Sequence, residues 1–172
     1  MASLEPTIKI FFENLAACGW DGNESERLPL SRLEAGEHIH SGLRIQVQGR
    51  FLPYLGYFGR DDVCFNTWLG ELETIYQMFE GQAASSYTFD EGEQGQPAFL
   101  FKRSRDAVFL SIVDAEYSSE GADPEWQKVE FQYEDFRREY LEMKADFVSE
   151  LSQVAPNVSG KWLKQVFFSV AN

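Results

Sequence analysis

A pair of histidines two residues apart is the first candidate for chemistry in this sequence. The stretch Glu37-His38-Ile39-His40 contains both histidines of the chain. On a strand, side chains two positions apart point to one face, so the two imidazoles could share a metal ion, with Glu34 or Glu37 as an oxygen ligand. The position of the pair in a polar loop before a strand favours solvent-exposed side chains instead. The sequence therefore predicts no metal site.

An acidic, glycine-containing loop is the second candidate. Residues 90–95 read Asp-Glu-Gly-Glu-Gln-Gly and lie just before an apolar run. The ligand spacing and the distal Glu of an EF-hand are absent, and a phosphate would meet carboxylates with no Gly-Lys-Ser/Thr motif to bind it. We therefore predict a turn between two strands. No Lys or Arg lies near its carboxylates Asp90, Glu91 and Glu93 in the sequence.

The sequence offers no recognisable nucleophile for covalent catalysis. It contains no Gly-x-Ser-x-Gly motif, and neither Cys18 nor Cys64 lies in a Cys-x-x-Cys or Cys/His spacing. Both are predicted to be reduced thiols, with Cys64 on a helix. Paired carboxylates such as Glu91 and Glu93 could act as acid and base, but a chain with 28 acidic residues contains such pairs by chance. We predict that the chain is not an enzyme and needs no cofactor.

The negative charge is concentrated in one third of the chain. The net charge is −13, and residues 61–126 hold fourteen acidic and three basic side chains, a net charge of −11. From Asp61 to Phe101 there is no Lys or Arg. Such a field repels nucleic acid and anionic membranes and attracts basic proteins or cations. The alternative is a surface that is acidic merely for solubility.

The length and composition indicate one folded domain. A chain of 172 residues with 44% hydrophobic residues can bury a core, and we predict a single domain over residues 1–172. No basic segment leads into an apolar run at the amino terminus, and no apolar stretch approaches the roughly 18 residues that span a bilayer. A cytoplasmic location is the expectation.

Apolar periodicity predicts the elements that position these candidates. Six strands are expected, over residues 7–15, 43–48, 87–90, 98–102, 107–113 and 128–133. Three helices are expected, over residues 61–81, from 133 or 134 up to Pro156, and around 162–167. Asp61 or Asp62 is the expected N-cap of the first helix, residues 21–42 are expected to be irregular, and residues 104–106 to form a hairpin turn. This order predicts an α+β domain, with a mostly antiparallel sheet of about six strands and two to three helices packed on one face.

An aromatic stretch precedes the first predicted helix. Residues 51–59 alternate large rings with Pro53, Gly56 and Gly59, which makes a poor central strand. Tyr54 and Tyr57 are therefore expected either in the core beneath the helix or at the surface. Tyrosine is favoured at the centres of protein interfaces, so an exposed position would suit a binding surface.

From residue 43 to about residue 154 the order of features resembles small immunity proteins of bacterial polymorphic toxin systems. The residues that carry this resemblance are the helix Asn66-Thr67-Trp68-Leu69-Gly70-Glu71-Leu72, the acidic strand pair around Phe89-Asp90-Glu91 and Phe99-Leu100-Phe101, Trp126 leading into Val129-Glu130-Phe131, and a closing helix. The resemblance implies a cytoplasmic, non-catalytic and often acidic protein. Such a protein protects the producing cell by binding a cognate toxin domain.

The leading hypothesis is therefore an immunity protein that neutralises a toxin by stoichiometric occlusion. Its partner would be a toxin domain with a basic cleft, and neither nucleic acid nor membrane is expected as a partner. The residues predicted to bind this partner are the carboxylates Asp90, Glu91, Glu93, Glu116, Glu120 and Asp123 and the aromatic anchors Tyr54, Tyr57 and Tyr117.

The alternative hypothesis is a domain with a pocket between sheet and helices. It would be a small-ligand- or metal-binding accessory domain, or an uncharacterised enzyme. A deep polar cavity in which Glu91 and Glu116 converge with His38 or His40 would favour this alternative, whereas a continuous acidic face would favour the binder.

Overall fold

The structure is a computed structural model that describes residues 5–20, 25–82, 84–91, 95–116 and 121–168. Within these residues the chain forms eleven strands and three α-helices. All strand pairs are antiparallel. The α+β class predicted from the sequence is confirmed. The prediction of one sheet of about six strands is too low in both numbers, because the described strands form three sheets.

The bounds of the elements are as follows. The strands are β1 (Ile8–Phe11), β2 (Ala16–Trp20), β3 (Ser25–Pro29), β4 (His38–Ser41), β5 (Arg44–Val47), β6 (Arg50–Phe51), β7 (Val63–Cys64), β8 (Ala84–Phe89), β9 (Ala98–Ser104), β10 (Ala107–Val113) and β11 (Val129–Gln132). The helices are α1 (Phe65–Gly81), α2 (Tyr133–Val154) and α3 (Pro156–Phe168), and a 3₁₀ turn covers Leu30–Arg32. The sheets have the strand orders β1-β5-β6, β3-β2-β4-β7 and β11-β10-β9-β8.

The first two sheets share one long, bent antiparallel ribbon. Strand β1 pairs with β5, and β2 pairs with β4. Between these pairs, Glu13 and Gly42 exchange backbone hydrogen bonds of 3.2 and 2.8 Å. The ribbon therefore continues through the bend, and its second half carries β4 and the two histidines.

The prediction that residues 21–42 are irregular is wrong, because β3 and β4 lie within this range. In β4, Ile39 and Ser41 are buried while His38 and His40 share the other face. A serine on the buried face and histidines on the other weaken the apolar alternation that identifies a strand. Leu30 and Leu33 are buried in the core, as expected.

Helix α1 lies where its periodicity predicts, but its N-cap is Cys64 and not Asp61 or Asp62. The two aspartates bind other partners, since Asp61 forms an ion pair with Arg44 and Asp62 with His40. Helix α1 packs against β4 and β8, α2 packs against β1 and β11, and α3 contacts both helices. Among the residues described, no helix is both long and apolar enough to cross a bilayer.

The alternation of apolar and polar residues in β5 predicts that Arg44 lies on the polar face, but its side chain is buried. Its guanidinium donates hydrogen bonds to the backbone carbonyl of Arg60 and to the carboxylate of Asp61. A carboxylate oxygen of Glu13 lies 3.6 Å away. Burying a cation is favourable only where such partners replace water, so Arg44 ties residues 60 and 61 to the ribbon.

A buried carboxylate joins the two long helices. Glu73 of α1 accepts hydrogen bonds from the Tyr140 hydroxyl, from Lys144 Nζ at 2.7 Å and from Gln77 Nε2 at 2.8 Å. Burial alone would raise the pKa of Glu73, but these donors outweigh burial and hold the pKa below the ordinary value of a glutamate. The ionised carboxylate therefore stabilises the contact between α1 and α2.

Replacing Glu73 by Gln is expected to lower the free energy of unfolding at neutral pH by about 2 kcal/mol, because hydrogen bonds to an ionised group become weaker neutral ones. Since the folded pKa is below the unfolded value, this contribution is present at neutral pH and is lost as the pH falls through the folded pKa. Urea unfolding between about pH 5 and pH 2 should thus show a smaller acid-induced loss for Glu73→Gln than for the parent chain.

The matched control is Glu150→Gln, which neutralises an exposed carboxylate of α2. It should leave the unfolding free energy at neutral pH within about 0.5 kcal/mol of the parent value. A Glu73→Gln variant that kept the full acid-induced loss of the parent chain would show that another group titrates.

Candidate functional site

Two acidic segments emerge at the same end of the third sheet. Ala98, the first residue of β9, pairs with Val113, the last residue of β10. The acidic loop, defined as residues 90–97, enters β9 at Ala98, and the acidic connection, defined as residues 114–125, leaves β10 at Val113. The antiparallel register therefore brings the attachment points of both segments together.

The aromatic loop, defined as residues 51–60, lies against both acidic segments. Gln96 Nε2 of the acidic loop donates a hydrogen bond of 2.9 Å to the backbone carbonyl of Tyr54. Arg50, directly before the aromatic loop, donates a hydrogen bond of 3.1 Å to the carbonyl of Glu125. Three segments that are separate in the sequence thus meet at one end of the molecule, which we call the acidic-aromatic end.

The aromatic loop carries strongly exposed rings. The exposed fractions are 51% for Phe51, 58% for Tyr57 and 73% for Phe58. The rings of Tyr57 and Phe58 meet edge to face, with centroids 4.9 Å apart. The residue types of this stretch favour a core position for Phe51, but its ring is exposed. Neighbouring exposed rings of this size are typical of a surface that a partner covers.

Six of the nine predicted partner-binding residues are described, and they belong to the segments that meet at this end. Asp90, Glu116 and Tyr57 are exposed, while Glu91, Asp123 and Tyr54 are half-buried. Tyr54 packs against the hydrophobic core and has a φ of 65°. The remaining three residues, Glu93, Tyr117 and Glu120, lie outside the described residues.

A small cavity of about 220 Å³ opens at the acidic-aromatic end. Its lining includes Tyr57 and Phe58 of the aromatic loop and Glu91 of the acidic loop. The polar side chains at its wall are those of His38, His40, Asp62, Cys64 and Thr67. Glu91 therefore converges with both histidines, as the alternative hypothesis expected, but Glu116 is not among the lining residues.

Strand pairing brings a histidine and a cysteine together. Strand β4 pairs with β7 in a register that places His40 directly opposite Cys64. His38 lies two residues earlier on the same face of β4, and the two imidazole rings are stacked with centroids 6.5 Å apart. The ligand atoms of His38, His40 and Cys64 all lie within 4.8 Å of one another.

Hydrogen bonds orient these three side chains. Asp62 Oδ1 lies 2.5 Å from Nδ1 of His40, so Nε2 is the ring nitrogen that would meet another group. Nδ1 of His38 lies 3.8 Å from Sγ of Cys64, and the Thr67 hydroxyl donates to the same sulfur at 3.4 Å. Because Cys64 caps helix α1, the sulfur also lies at the positive end of a helix dipole.

The pKa values of the cluster follow from this geometry. Burial alone would raise the pKa of Cys64, but hydrogen bonds from the two imidazoles and from Thr67 lower it to about 5. The hydrogen bond to Cys64 in turn raises the pKa of both His38 and His40. The pKa of Cys18 is instead raised by burial. The surroundings of the two cysteines therefore shift their pKa values in opposite directions.

Sequence reasoning missed Cys64 as a member of this cluster. Cys64 was expected on a helix, but it ends β7 and precedes α1. Glu37, which with Glu34 was considered as an oxygen ligand, accepts a hydrogen bond from the backbone N–H of Glu34 at 2.8 Å. One feature of the sequence could have indicated the cluster. Asp62 and Cys64 are two residues apart, as the two histidines are, so an antiparallel pairing of their strands could place the two pairs side by side.

Comparisons with known proteins give no relative for this chain: no family model matches it, and no curated protein and no solved structure matches it. We therefore argue its function from the residues and their geometry.

Alkylation of the metal-free chain should distinguish the two cysteines. In the presence of a chelator, the rate constant for the reaction of Cys64 with iodoacetamide is expected to be nearly constant between about pH 6.5 and pH 8.5, because its thiolate is already formed. The rate constant for Cys18 should rise by about tenfold per pH unit. Peptide mass spectrometry measures both in one sample. A Cys64 rate that rose in parallel with that of Cys18 would contradict the lowered pKa.

The conformation of the aromatic loop depends on Gly56. A Cβ atom at this position would lie 2.6 Å from the carbonyl oxygen of Gly59 and 2.9 Å from that of Asp62. We expect Gly56→Ala to lower the free energy of unfolding by about 1 to 3 kcal/mol. The control Gly160→Ala adds a methyl group in open space within α3 and should raise the free energy of unfolding by about 1 kcal/mol. Urea unfolding measures both, and a stabilising Gly56→Ala change would refute the clash.

Proposed function

We propose that this chain is an immunity protein of a bacterial polymorphic toxin system, which binds a cognate toxin domain in the cytoplasm and neutralises it by stoichiometric occlusion. The observation that carries this proposal is the acidic-aromatic end, where a loop with exposed rings is hydrogen-bonded to the acidic loop and follows Arg50, which binds the acidic connection. The resemblance in the order of sequence features points the same way.

The aromatic loop supplies the energetic anchor of the proposed interface. Tyr57 and Phe58 expose large apolar surfaces, and their burial by a partner would be favourable by roughly 25 cal/mol for each Å² of apolar area. Rings have few rotatable bonds, so little conformational entropy is lost when they become ordered. The loop is also held in place by Arg44 and Gly56, so that the rings are presented on a fixed backbone.

The acidic segments supply attraction over distance. Asp90 and Glu116 are exposed at this end, in the part of the chain that carries a net charge of −11. Exposed ion pairs contribute little net affinity, but a concentrated field speeds association with an oppositely charged surface. The expected partner surface is therefore a basic cleft with an apolar recess for the rings.

A second candidate function is supported by the cavity at the same end. Glu91, His38 and His40 line it together with Cys64, which suits a small-ligand- or metal-binding accessory domain or an uncharacterised enzyme. This candidate predicts binding of a small molecule or ion without a protein partner.

Co-expression with each neighbouring gene tests the proposed function directly. The chain is expected to protect cells from one neighbouring gene product and to co-purify with it in a 1:1 complex. The proposal would be contradicted if the chain protected cells without binding the toxic gene product, or if it relieved the toxicity of none of the neighbouring gene products.

The double variant Tyr57→Ala/Phe58→Ala is expected to weaken binding to that toxin domain by about 30-fold or more, because it removes the anchor. The double variant Asp90→Asn/Glu91→Gln is expected to lower the association rate constant and to reduce its dependence on salt. Surface plasmon resonance at several salt concentrations measures both effects.

The matched control is Asp106→Asn/Glu134→Gln, which removes two exposed carboxylates at the opposite end of the third sheet. It removes the same number of negative charges, so only the position of the charges differs. Equal effects of the two charge-removing variants would show that net charge alone steers association, and an unaffected Tyr57→Ala/Phe58→Ala variant would place the interface elsewhere.

A further inference from the structure

Two imidazoles and one thiol converge on a common point in the wall of the cavity. The ligand atoms of His38, His40 and Cys64 are all within 4.8 Å of one another, although His40 and Cys64 are far apart in the sequence. We propose that these three side chains bind a thiophilic divalent cation of the zinc type, with a fourth coordination position open to the cavity. The sequence alone predicted no metal site.

The separations are close to those of a tetrahedral site. With Zn–S and Zn–N bonds of about 2.3 and 2.05 Å, tetrahedral ligands are roughly 3.5 Å apart. The separation between Nδ1 of His38 and Sγ of Cys64 is 3.8 Å. The remaining separations are at most 4.8 Å, so the donors would have to approach one another by up to about 1.3 Å on binding.

The neighbours of the three donors already form the outer contacts of a metal site. Metal-binding histidines usually donate their second ring N–H to a carboxylate, and Asp62 occupies this position beside Nδ1 of His40. The Thr67 hydroxyl donates to the sulfur of Cys64. These contacts restrict the orientations of the donors before any ion arrives, which lowers the cost of ordering them on binding.

The donor types select the class of ion. Sulfur and imidazole nitrogen suit zinc and similar transition metals, whereas calcium and magnesium require oxygen ligands. Three protein ligands with an open position are typical of zinc sites that bind a water or a further ligand. The fourth coordination position of the proposed ion would face the cavity, which Glu91 also lines.

The same residues could alternatively form a metal-free nucleophile, with His40 as the base and Asp62 orienting it. That arrangement requires one imidazole at the sulfur. Here His38 also contacts the sulfur, at 3.8 Å, and lies on the same strand face as His40. Two imidazoles that converge on one thiolate are a ligand set, so the observations favour a metal site.

Metal binding is measured on the full chain, without any protein partner, and is therefore independent of the proposed immunity function. The chain is treated with a chelator, transferred to metal-free buffer and titrated with ZnCl₂ by competition with a chromophoric chelator. We expect one equivalent of Zn²⁺ to bind. Co²⁺ should give the near-ultraviolet charge-transfer absorption of a cobalt–thiolate bond.

The variants Cys64→Ser and His38→Ala are expected to weaken Zn²⁺ binding by more than about 100-fold, and Asp62→Asn by about 10- to 100-fold. The control is Cys18→Ser, which removes the other thiol; Cys18 lies on β2 opposite His38 but is not one of the three converging donors, so the affinity should stay nearly unchanged. Circular dichroism verifies that each variant is folded.

Three results would overturn the proposal: no Zn²⁺ binding by the parent chain, undiminished binding by a folded Cys64→Ser variant, or a Co²⁺ complex without the thiolate absorption. The last result needs no variant, so the proposal stays testable if a substitution prevents folding. If Cys64 were alkylated rapidly and added Zn²⁺ did not slow the reaction, the cluster would be identified as the metal-free nucleophile instead.

Discussion

The pairing of the two-residue strand β7 with β4 is the constraint on which the functional end of the molecule depends. It places Cys64 opposite His40, sets the sulfur at the first turn of α1, and fixes the end of the segment that leaves β6. Without this pairing His40 would have neither the sulfur of Cys64 nor the carboxylate of Asp62 beside it. The donor groups in the wall of the cavity are brought together by the same register.

Arg44 explains why the aromatic loop can be ordered and yet keep its rings in solvent. Leu52 and Leu55 of the loop are buried in the core, and the buried guanidinium also binds the carbonyl of Arg60 and the carboxylate of Asp61. The loop is thus fastened at its carboxyl end through the backbone. Tyr57 and Phe58 are not needed for this attachment, and their exposure leaves them for another contact.

The sequence predicts most of the elements of this fold but not the site. Strand β10, the three helices and the turn at Arg105 follow from periodicity and turn chemistry, which are local properties. Strands β3 and β4 were missed because an edge strand and a strand with histidines on one face lack a clear apolar alternation. The meeting of His40 with Cys64 depends on a pairing across more than twenty residues, and no local pattern encodes such a register.

The charge of the chain alone does not separate the two proposals, because a region with a net charge of −11 attracts a basic protein and a metal cation alike. The side chains at the acidic-aromatic end do separate them. Exposed rings select a protein surface, since a bare ion gains nothing from apolar area. Sulfur and imidazole select a soft cation, since a lysine or arginine would be bound as well by carboxylates. Both sets of side chains line one cavity, so an ion at Cys64 would lie beside Tyr57 and Phe58 and could order the surface that a partner contacts.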